Sequence, residues 1–319
     1  MQILRHYRDV PAAGRGTIAA LGNFDGVHLG HRALLKEAEN LARDEGALFA
    51  VFIFEPYPRE FFRAEDAPFR LTLFEAKARL LKKIGADILL VFPFNAALAG
   101  TSSEDFVLDI LVKELDVKHV VVGEDFRYGK DRAGDATALS YMGEMEGFGV
   151  TTISHLTDGA GVKISSSRIR EALLAGKPDE AARLLGYWWS VESHVLEGDK
   201  RGRTLGFPTA NLKLENTLSP IFGVYAVRAY IGGLGQPHYG VANYGLRPTF
   251  EAPEPLLEVH LFNFSGDLYG QLLRIEFISY LRPERKFDGL EALKEQLLAD
   301  REVAKGVLQS NSLVPALDP

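Results

Sequence analysis

Two histidines, His28 and His31, close a glycine-rich segment that spans residues 22–31. The segment follows a short apolar run and leads into a helical pattern, which predicts a loop at the start of a helix. Backbone N–H groups and a partial positive charge at a helix N-terminus favour phosphate. Side chains three residues apart share one helix face, so the ring N–H groups of both histidines can donate to one phosphate. The pattern predicts a phosphate-binding loop.

Two other interpretations of this loop stay open on the residues alone. In the first, Asp25 caps the helix and both histidines are solvated. In the second, the histidines ligate zinc, although their spacing supports that metal only weakly. The combination of a strand, a glycine-rich turn, paired histidines and a helix favours phosphate over both.

A second candidate anion site is the serine- and arginine-rich segment 165–170, again at the start of a helical pattern. Serine hydroxyls can donate to phosphate, and arginine can hold it through two parallel donors. Ser166, Ser167 and Arg170 are the candidates. The alternative is a serine N-cap followed by a solvated arginine face.

A third candidate site is the segment 198–211, which begins with basic and glycine residues. The chain lacks the Gly-x4-Gly-Lys-Ser/Thr pattern of a P-loop kinase. After Pro208, the oxygen-bearing side chains of Thr209 and Asn211 alternate along an extended segment and therefore face one way. Oxygen ligands suit Mg²⁺. A charged hairpin followed by an ordinary strand is the alternative.

Short apolar runs in the first half alternate with amphipathic helical patterns, which predicts a doubly wound parallel sheet. Ligands of such sheets sit beyond the carboxyl ends of the strands, where the loops after residues 21, 54 and 122 lie. A helical pattern at 167–185 is interrupted by Gly176 and Pro178. The predicted strands are Thr17–Leu21, Leu48–Phe54, Asp87–Phe92, His119–Val122 and Val150–Ser154.

After Gly186 the pattern changes to strands separated by glycine- and proline-rich turns, which predicts an antiparallel barrel. A closing helix at 290–308 is expected to turn Leu290, Leu293, Leu297, Leu298 and Val303 toward the barrel. We therefore expect domains at 1–186 and 187–319. The predicted strands are Trp188–Leu196, Val224–Ile231, His238–Ala242, Leu256–Phe262 and Leu272–Leu281.

The composition of the 319 residues narrows the possible chemistry. The chain has no cysteine, which excludes disulfides, iron–sulfur clusters and thiol nucleophiles. No apolar stretch reaches the length of a membrane span, and no signal peptide is evident, so we expect a cytoplasmic protein. A formal net charge of −7 argues against nucleic-acid or anionic-membrane partners. Oligomerisation is possible but cannot be derived from these residues.

The first half resembles the nucleotidyltransferase superfamily, and within it the adenylyltransferase module of prokaryotic bifunctional FAD synthetases. The resemblance rests on His28-x-Gly-His31, on segment 164–170, and on segments 54–60 and 122–129. It implies a Rossmann-like fold in which His28, His31 and Arg170 act on ATP with Mg²⁺. The implied ATP-binding residues are Gly22, Asn23, Phe24, Asp25, Gly26, His28, His31, Ser166, Ser167 and Arg170. The implied flavin-binding residues are Phe54, Pro56, Pro58 and Asp125.

The second half is similar to the riboflavin kinase module of the same family, a Greek-key barrel with a closing helix. The motifs are 206–211, 223–227, 245–250, 257–260 and 266–270. The resemblance implies that Gly202, Thr209 and Asn211 bind ATP, that Thr209 and Asn211 hold Mg²⁺, and that Glu258 is the catalytic base. Arg301 is a flavin candidate. A solvent-facing strand carboxylate is the alternative for Glu258.

Together the resemblances imply ATP, riboflavin, FMN and FAD as ligands, with Mg²⁺ and neither zinc nor an iron–sulfur cluster. Two functions compete with the bifunctional enzyme: an adenylyltransferase with an inactive flavin-binding barrel, and a non-enzymatic flavin-binding protein. The chain departs from the family pattern at Tyr57, where histidine is usual, and at Ser167, where threonine is usual. Further departures are Ser193, Glu197, Lys200 and Asn263.

Overall fold

The structure, a computed structural model, describes residues 1–197, 207–233, 235–247 and 254–310. Gly202 and Lys200 lie outside the described residues, as does most of the basic glycine-rich segment. The chain separates into two compact units. The first comprises Met1–Ala67 and Phe74–Ser165, and the second comprises Pro68–Leu73 with the described chain from Ser166 onward. The functional boundary expected at residue 186 stays a prediction.

The first unit is built on a six-stranded parallel sheet of order β1-β4-β3-β2-β5-β8. Its four inner strands, β2–β5, are buried on both faces, which accounts for their continuous apolar sequence. The predicted strands are confirmed to within two residues. The short first strand was not predicted. The strands are β1 (Gln2–Leu4), β2 (Ile18–Leu21), β3 (Phe49–Glu55), β4 (Ile88–Pro93), β5 (His119–Gly123), β6 (Arg127–Tyr128), β7 (Gly134–Asp135) and β8 (Gly149–Ile153).

Helices connect these strands, and β6 and β7 form a separate small hairpin. The chain leaves β2 toward β3 on one side and reaches β5 on the other, so the strand order reverses between β2 and β5. A crevice at such a reversal is where doubly wound sheets bind ligands. The helices are α1 (Leu29–Glu45), α2 (Pro58–Phe62), α3 (Phe74–Ile84), α4 (Ala96–Gly100), α5 (Ser103–Asp105), a π-helix (Phe106–Glu114) and α6 (Ala136–Glu146), with 3₁₀ turns at Tyr7–Asp9, Ala12–Gly14 and Lys130–Arg132.

The second unit opens with two helices and continues as an antiparallel sheet of order β10-β13-β12-β11-β14-β9. Leu196, which follows β9, forms an antiparallel β-bridge with Asn211 of β10, so the sheet nearly closes into the predicted barrel. Gly176, at φ +70°, separates the two helices. The elements are α7 (Ser166–Leu174), α8 (Pro178–Leu185), β9 (Ser190–His194), β10 (Ala210–Leu212), β11 (Gly223–Ile231), β12 (His238–Arg247), β13 (Glu254–Leu261), β14 (Leu272–Arg282) and α9 (Leu290–Ser310).

Helix α9 packs on the barrel as predicted, and Leu293 and Leu297 of the predicted stripe line the barrel cavity. Ala304 and Leu308 join the barrel core. Leu290, Leu298 and Val303 are exposed by 65%, 37% and 56%, so their expected burial is wrong. The buried side of α9 also carries a carboxylate, Asp300, a residue type that apolar periodicity does not assign to a buried face.

Candidate active sites

The histidine loop, residues 22–31, runs from the end of β2 into α1 at the carboxyl edge of the parallel sheet. His28 is the N-cap of α1, and its Nδ1 accepts a hydrogen bond of 3.2 Å from the backbone N–H of His31. In the neutral ring the hydrogen is therefore on Nε2, which makes Nε2 a donor. The two imidazole rings stack with centroids 3.6 Å apart. The structure thus brings the predicted pair together.

Gly30 makes this stacking possible. A Cβ at residue 30 would lie 3.2 Å from two atoms of the His28 ring. That distance is tighter than most side-chain contacts, so a larger residue would push the ring away from His31. The stacking of the two rings therefore depends both on the spacing of the histidines and on the glycine between them.

The turn before His28 is conformationally strained. Phe24 and Val27 have φ angles of +48° and +38°, in the left-handed region. Side chains other than glycine are disfavoured there, most of all β-branched ones. Phe24 is buried and meets the His31 ring edge-on, with centroids 5.3 Å apart. Burial of the strained residue helps to hold the turn in place.

Beside this turn lies a buried polar network that the sequence did not predict. Lys77 of α3 is fully buried and donates a hydrogen bond to the hydroxyl of Tyr57. The Tyr57 hydroxyl donates to Oδ1 of Asp25 over 3.3 Å and approaches the carbonyl of Asn23 at 3.5 Å. The Lys77 ammonium is also 3.6 Å from Oε1 of Glu55. Position 57 thus points into the histidine loop.

Of the predicted flavin residues, Phe54 lies near the end of the neighbouring strand β3, and Pro56 and Pro58 follow that strand. The peptide bond before Pro56 is cis, and Pro58 opens helix α2. The Phe54 ring contacts the rings of Phe92 and Phe94, with centroids 5.4 and 6.1 Å away. Phe54 therefore packs between the apolar core and partly exposed aromatic side chains. This packing gives Phe54 a structural role besides the flavin contact predicted for it.

Asp125, the fourth predicted flavin residue, lies in the loop after β5. Its carboxylate forms an ion pair with Lys163, with an Nζ–Oδ2 distance of 2.8 Å. The same ammonium is 2.7 Å from Nε2 of His155. Partial burial opposes ionisation of Asp125, but the hydrogen bond and charge of Lys163 outweigh it and lower the pKa of Asp125. Asp125 is therefore a charged, exposed group at the sheet edge.

The predicted serine and arginine site belongs to the second unit. Ser166 and Ser167 begin helix α7. The Nε of Arg170 donates to the backbone carbonyl of Phe69 over 2.8 Å, and the guanidinium lies 5.1 Å from the Phe69 ring. Residues 68–73 are part of the same unit, so Arg170 is fixed within it.

The barrel encloses a cavity of about 620 Å³. Its walls come from β10–β14, from the loop after β14 and from α9, which contributes Leu293, Leu297 and Asp300. Thr209, Asn211 and Glu258, predicted from separate motifs, all line it. The cavity volume falls within the range of small-molecule sites in proteins.

A row of three polar side chains crosses the cavity wall. Asn211 of β10 stands opposite Glu258 of β13, which in turn stands opposite Asn243 of β12. Directly opposed residues in an antiparallel pair have Cβ atoms about 4.5–5.5 Å apart. Oδ1 of Asn211 is buried and accepts no hydrogen bond within the described residues. Asn243 was not predicted from the sequence, and its amide donates to Glu284 over 3.0 Å.

His260 lines the same cavity and its Nδ1 donates to the carbonyl of Pro208 over 2.9 Å. Burial is the main cause that lowers the pKa of His260, and the charge of Arg301 acts in the same direction. Arg301, a flavin candidate from the sequence, lies 6.0 Å from the Phe207 ring, outside the residues that line the cavity.

A partly buried ion pair between Arg282 and the buried Asp300 fixes α9 against the end of β14. Arg282 donates to both carboxylate oxygens of Asp300, the shortest contact being 2.7 Å. Gln296 donates to Oδ1 of Asp300 over 2.6 Å. Both charged residues line the cavity, so this pair shapes the wall that the helix provides.

Comparison with known proteins adds independent evidence. Two family profiles match the chain: FAD synthetase over residues 10–168 and riboflavin kinase over residues 185–308. The bifunctional riboflavin kinase/FMN adenylyltransferase of Escherichia coli K12 is 40% identical over 307 residues, 96% of this chain and 97% of that protein. The enzyme of the same description from Pseudomonas fluorescens is 42% identical over 308 residues, 96% and 98%. The chain belongs to the bifunctional riboflavin kinase/FMN adenylyltransferase family.

Membership of the bifunctional riboflavin kinase/FMN adenylyltransferase family confirms the resemblance seen in the motifs. Because both profiles match, in the predicted order, the comparisons favour a bifunctional enzyme over an adenylyltransferase with an inactive barrel. The predicted fold class is also confirmed. The roles of individual site residues stay predictions.

A solved structure, described as a macrolide-efflux protein from Streptococcus pneumoniae, is also similar to this member of the bifunctional riboflavin kinase/FMN adenylyltransferase family. It has a TM-score of 0.84 and 31% identity, and the match covers 95% of this chain and 98% of that one. Efflux is the description of that protein alone. Among the residues described here, no helix is both long and apolar enough to cross a membrane.

Proposed function

We propose that this protein makes FAD from riboflavin in two ATP-dependent steps. Riboflavin and ATP give FMN and ADP in the barrel cavity, and FMN and a second ATP give FAD and pyrophosphate at the histidine loop. Residues 1–186 carry the adenylyltransferase activity and residues 187–319 the kinase activity. The supporting observation is that one chain holds both the stacked histidine pair and a cavity in which Glu258 stands opposite Asn211.

In the kinase step, Glu258 takes the proton from the ribityl 5′-hydroxyl of riboflavin. The hydroxyl oxygen bonds to the γ-phosphorus of ATP, the bond to the β-phosphate oxygen breaks, and ADP leaves. An alcohol needs this help because its proton is weakly acidic, and a positioned carboxylate supplies it. The position of Glu258 on the cavity wall suits this role.

The residues around Glu258 fit a magnesium ion. Thr209 and Asn211 offer oxygen ligands, and the buried Oδ1 of Asn211 accepts no hydrogen bond within the described residues. Buried polar oxygens without partners are uncommon, and a cation is a natural partner for one. Mg²⁺ bound there with ATP supplies positive charge to the phosphates. Among the described residues, no group of three His, Asp or Glu side chains could hold a metal ion.

In the adenylyl transfer step, a phosphate oxygen of FMN attacks the α-phosphorus of ATP, and the bond to pyrophosphate breaks. The attacking oxygen is already anionic at neutral pH, so no general base is needed. The protein must instead align the reactants and stabilise the charge that develops on the phosphates. Within the first unit, the donor Nε2 of His28 and the ring of His31 provide this stabilisation. Arg170, which the family resemblance implies as a further group on ATP, belongs to the second unit.

The remaining assignments follow from the same proposal. Gly22, Asn23, Phe24, Asp25, Gly26, Ser166, Ser167 and Gly202 contribute to ATP binding, and Phe54, Pro56, Pro58, Asp125 and Arg301 contribute to flavin binding. We expect the protein to act in the cytoplasm, without a nucleic-acid or membrane partner.

The experiment that tests the proposal is incubation of the purified protein with riboflavin, ATP and Mg²⁺, followed by chromatography of the flavins. We expect FMN and then FAD. Formation of FAD from supplied FMN, without any FMN from riboflavin, would instead indicate an adenylyltransferase with an inactive barrel. Flavin binding without any ATP turnover would indicate a non-enzymatic flavin-binding protein.

A further inference from the structure

Lys77 is an unusual residue for the interior of a protein. Its side chain is fully buried on α3, although burial of an ammonium group is unfavourable unless that group is paired. It lies against the ring of Tyr57, with Nζ 4.2 Å from the ring centroid, and donates to the Tyr57 hydroxyl. The Lys77 ammonium is also 3.6 Å from Oε1 of Glu55, so its charge has a carboxylate partner in addition to the Tyr57 hydroxyl.

The chemistry of the donors fixes the direction of this hydrogen-bond chain. An ammonium group only donates, so the Tyr57 oxygen is the acceptor of the bond from Lys77. The single hydroxyl hydrogen of Tyr57 must then point elsewhere. Oδ1 of Asp25 at 3.3 Å and the carbonyl of Asn23 at 3.5 Å are within its reach. The chain therefore runs from Lys77 through Tyr57 to the histidine loop.

The end of this chain meets the strained part of the loop. Asn23 and Asp25 flank Phe24, whose φ of +48° is unfavourable for a residue with a side chain. Strained backbone of this kind persists only where its surroundings hold it. The Val27 N–H donates to the Phe24 carbonyl over 3.1 Å, so the same turn leads directly to the N-cap His28.

We propose that Lys77 is a positioning residue for adenylyl transfer, which through Tyr57 holds the Asn23–Asp25 turn so that His28 is aligned with the ATP phosphates. The inference rests on the proposed adenylyltransferase function, and it assigns Lys77 no contact with substrate. It also gives the unusual Tyr57 a role, because the phenol transmits the hydrogen bond between the buried ammonium and the loop.

The test compares Tyr57→Phe, Lys77→Met and the double variant with the unchanged protein. Tyr57→Phe removes one oxygen and leaves the contact between Lys77 and Glu55 in place, so it is the variant expected to fold. Lys82→Met, at an exposed lysine of the same helix, is the matched control. Two quantities are measured: the KM for ATP and kcat of FAD formation from FMN, and the hydrogen-exchange rate of the Val27 amide in the free protein.

We expect Tyr57→Phe and Lys77→Met each to raise both the Val27 exchange rate and the KM for ATP about tenfold. The double variant should match the more affected single variant, because both residues belong to one hydrogen-bond chain. A merely structural role would lower the active fraction and thus kcat, with KM unchanged. Unchanged KM and Val27 exchange in Tyr57→Phe would overturn the inference, as would effects that multiply in the double variant. If the unchanged protein forms no FAD, the proposed function fails, while Val27 exchange still decides whether Lys77 holds the turn.

Discussion

Asn211 stands directly opposite Glu258 in the register of β10 and β13. The proposed oxygen ligand and the proposed base therefore share one patch of the cavity wall, although 46 residues lie between them in the sequence. The pairing of two strands, rather than a local motif, creates the proposed kinase site.

Replacement of Glu258 by glutamine should lower the rate of riboflavin phosphorylation by about 10²–10⁴-fold, because the amide cannot accept the hydroxyl proton. FAD formation from supplied FMN should persist. Both rates can be measured by chromatography on the same preparation. Glu291→Gln, at an exposed carboxylate of α9, is the control. Near-normal phosphorylation by Glu258→Gln would exclude its role as the base.

Asn211→Leu should weaken ATP binding in the kinase reaction with little effect on the stability of the protein. The substitution removes a buried oxygen that has no hydrogen-bond partner within the described residues, so the free energy of unfolding should fall by less than about 1 kcal/mol. The KM for ATP in the kinase reaction should rise strongly, because an oxygen ligand is lost. Urea unfolding and steady-state kinetics provide the two measurements. A large loss of stability with unchanged KM would contradict the assignment.

Replacement of both His28 and His31 by alanine should abolish FAD formation, because the donors to the ATP phosphates are lost. Riboflavin phosphorylation should continue and FMN should accumulate. The control is His194→Ala, at an exposed histidine of the barrel. FAD synthesis at the normal rate by the double variant would refute the role of the pair.

Asp300→Ala should destabilise the second unit by about 3 kcal/mol, since it leaves the Arg282 guanidinium without its buried carboxylate. Kinase activity should fall because α9 forms part of the cavity wall. Combined replacement of Arg282 by methionine and Asp300 by leucine should recover much of the stability. Thermal unfolding of the single and double variants measures this coupling, and strictly additive losses would show that the pair is energetically unimportant.

The stability of the protein should decrease as the pH falls below about 6.5. His260 has a lowered pKa in the folded state, chiefly through burial, so the unfolded chain binds a proton at a higher pH than the folded chain does. His119 is affected in the same direction, also chiefly through burial. His260→Asn should therefore flatten the dependence of the urea midpoint on pH between about 7 and about 5. An unchanged slope would contradict this origin of the acid sensitivity.

The sequence predicted the parallel sheet well because its four inner strands are buried on both faces and therefore appear as continuous apolar runs. β10, a strand of three residues, was seen only as part of the segment that holds Thr209 and Asn211. The prediction for α9 was correct for Leu293 and Leu297 but wrong for Leu290, Leu298 and Val303. The physical reason is that Asp300, which pairs with Arg282, occupies a buried position that periodicity assigns to an apolar side chain.

The predicted site residues came from local motifs, and the structure added residues that no local pattern marks. Lys77 is twenty residues from Tyr57 in the sequence, and lysine is ordinarily a surface residue. Asn243 joins the cavity row only through the pairing of β12 with β13. Such residues become visible when the tertiary pairing is known.

The order of the two sites along the chain is the reverse of the order of the two proposed reactions. The histidine loop and its parallel sheet lie before residue 165, whereas the barrel cavity requires Leu293, Leu297 and Asp300 of α9. Because a ribosome makes the N-terminal part first, domains usually fold in that sequence. During synthesis, the proposed site of FMN consumption is therefore made before the proposed site of FMN production, and α9, the last helix among the described residues, completes the wall of the barrel cavity.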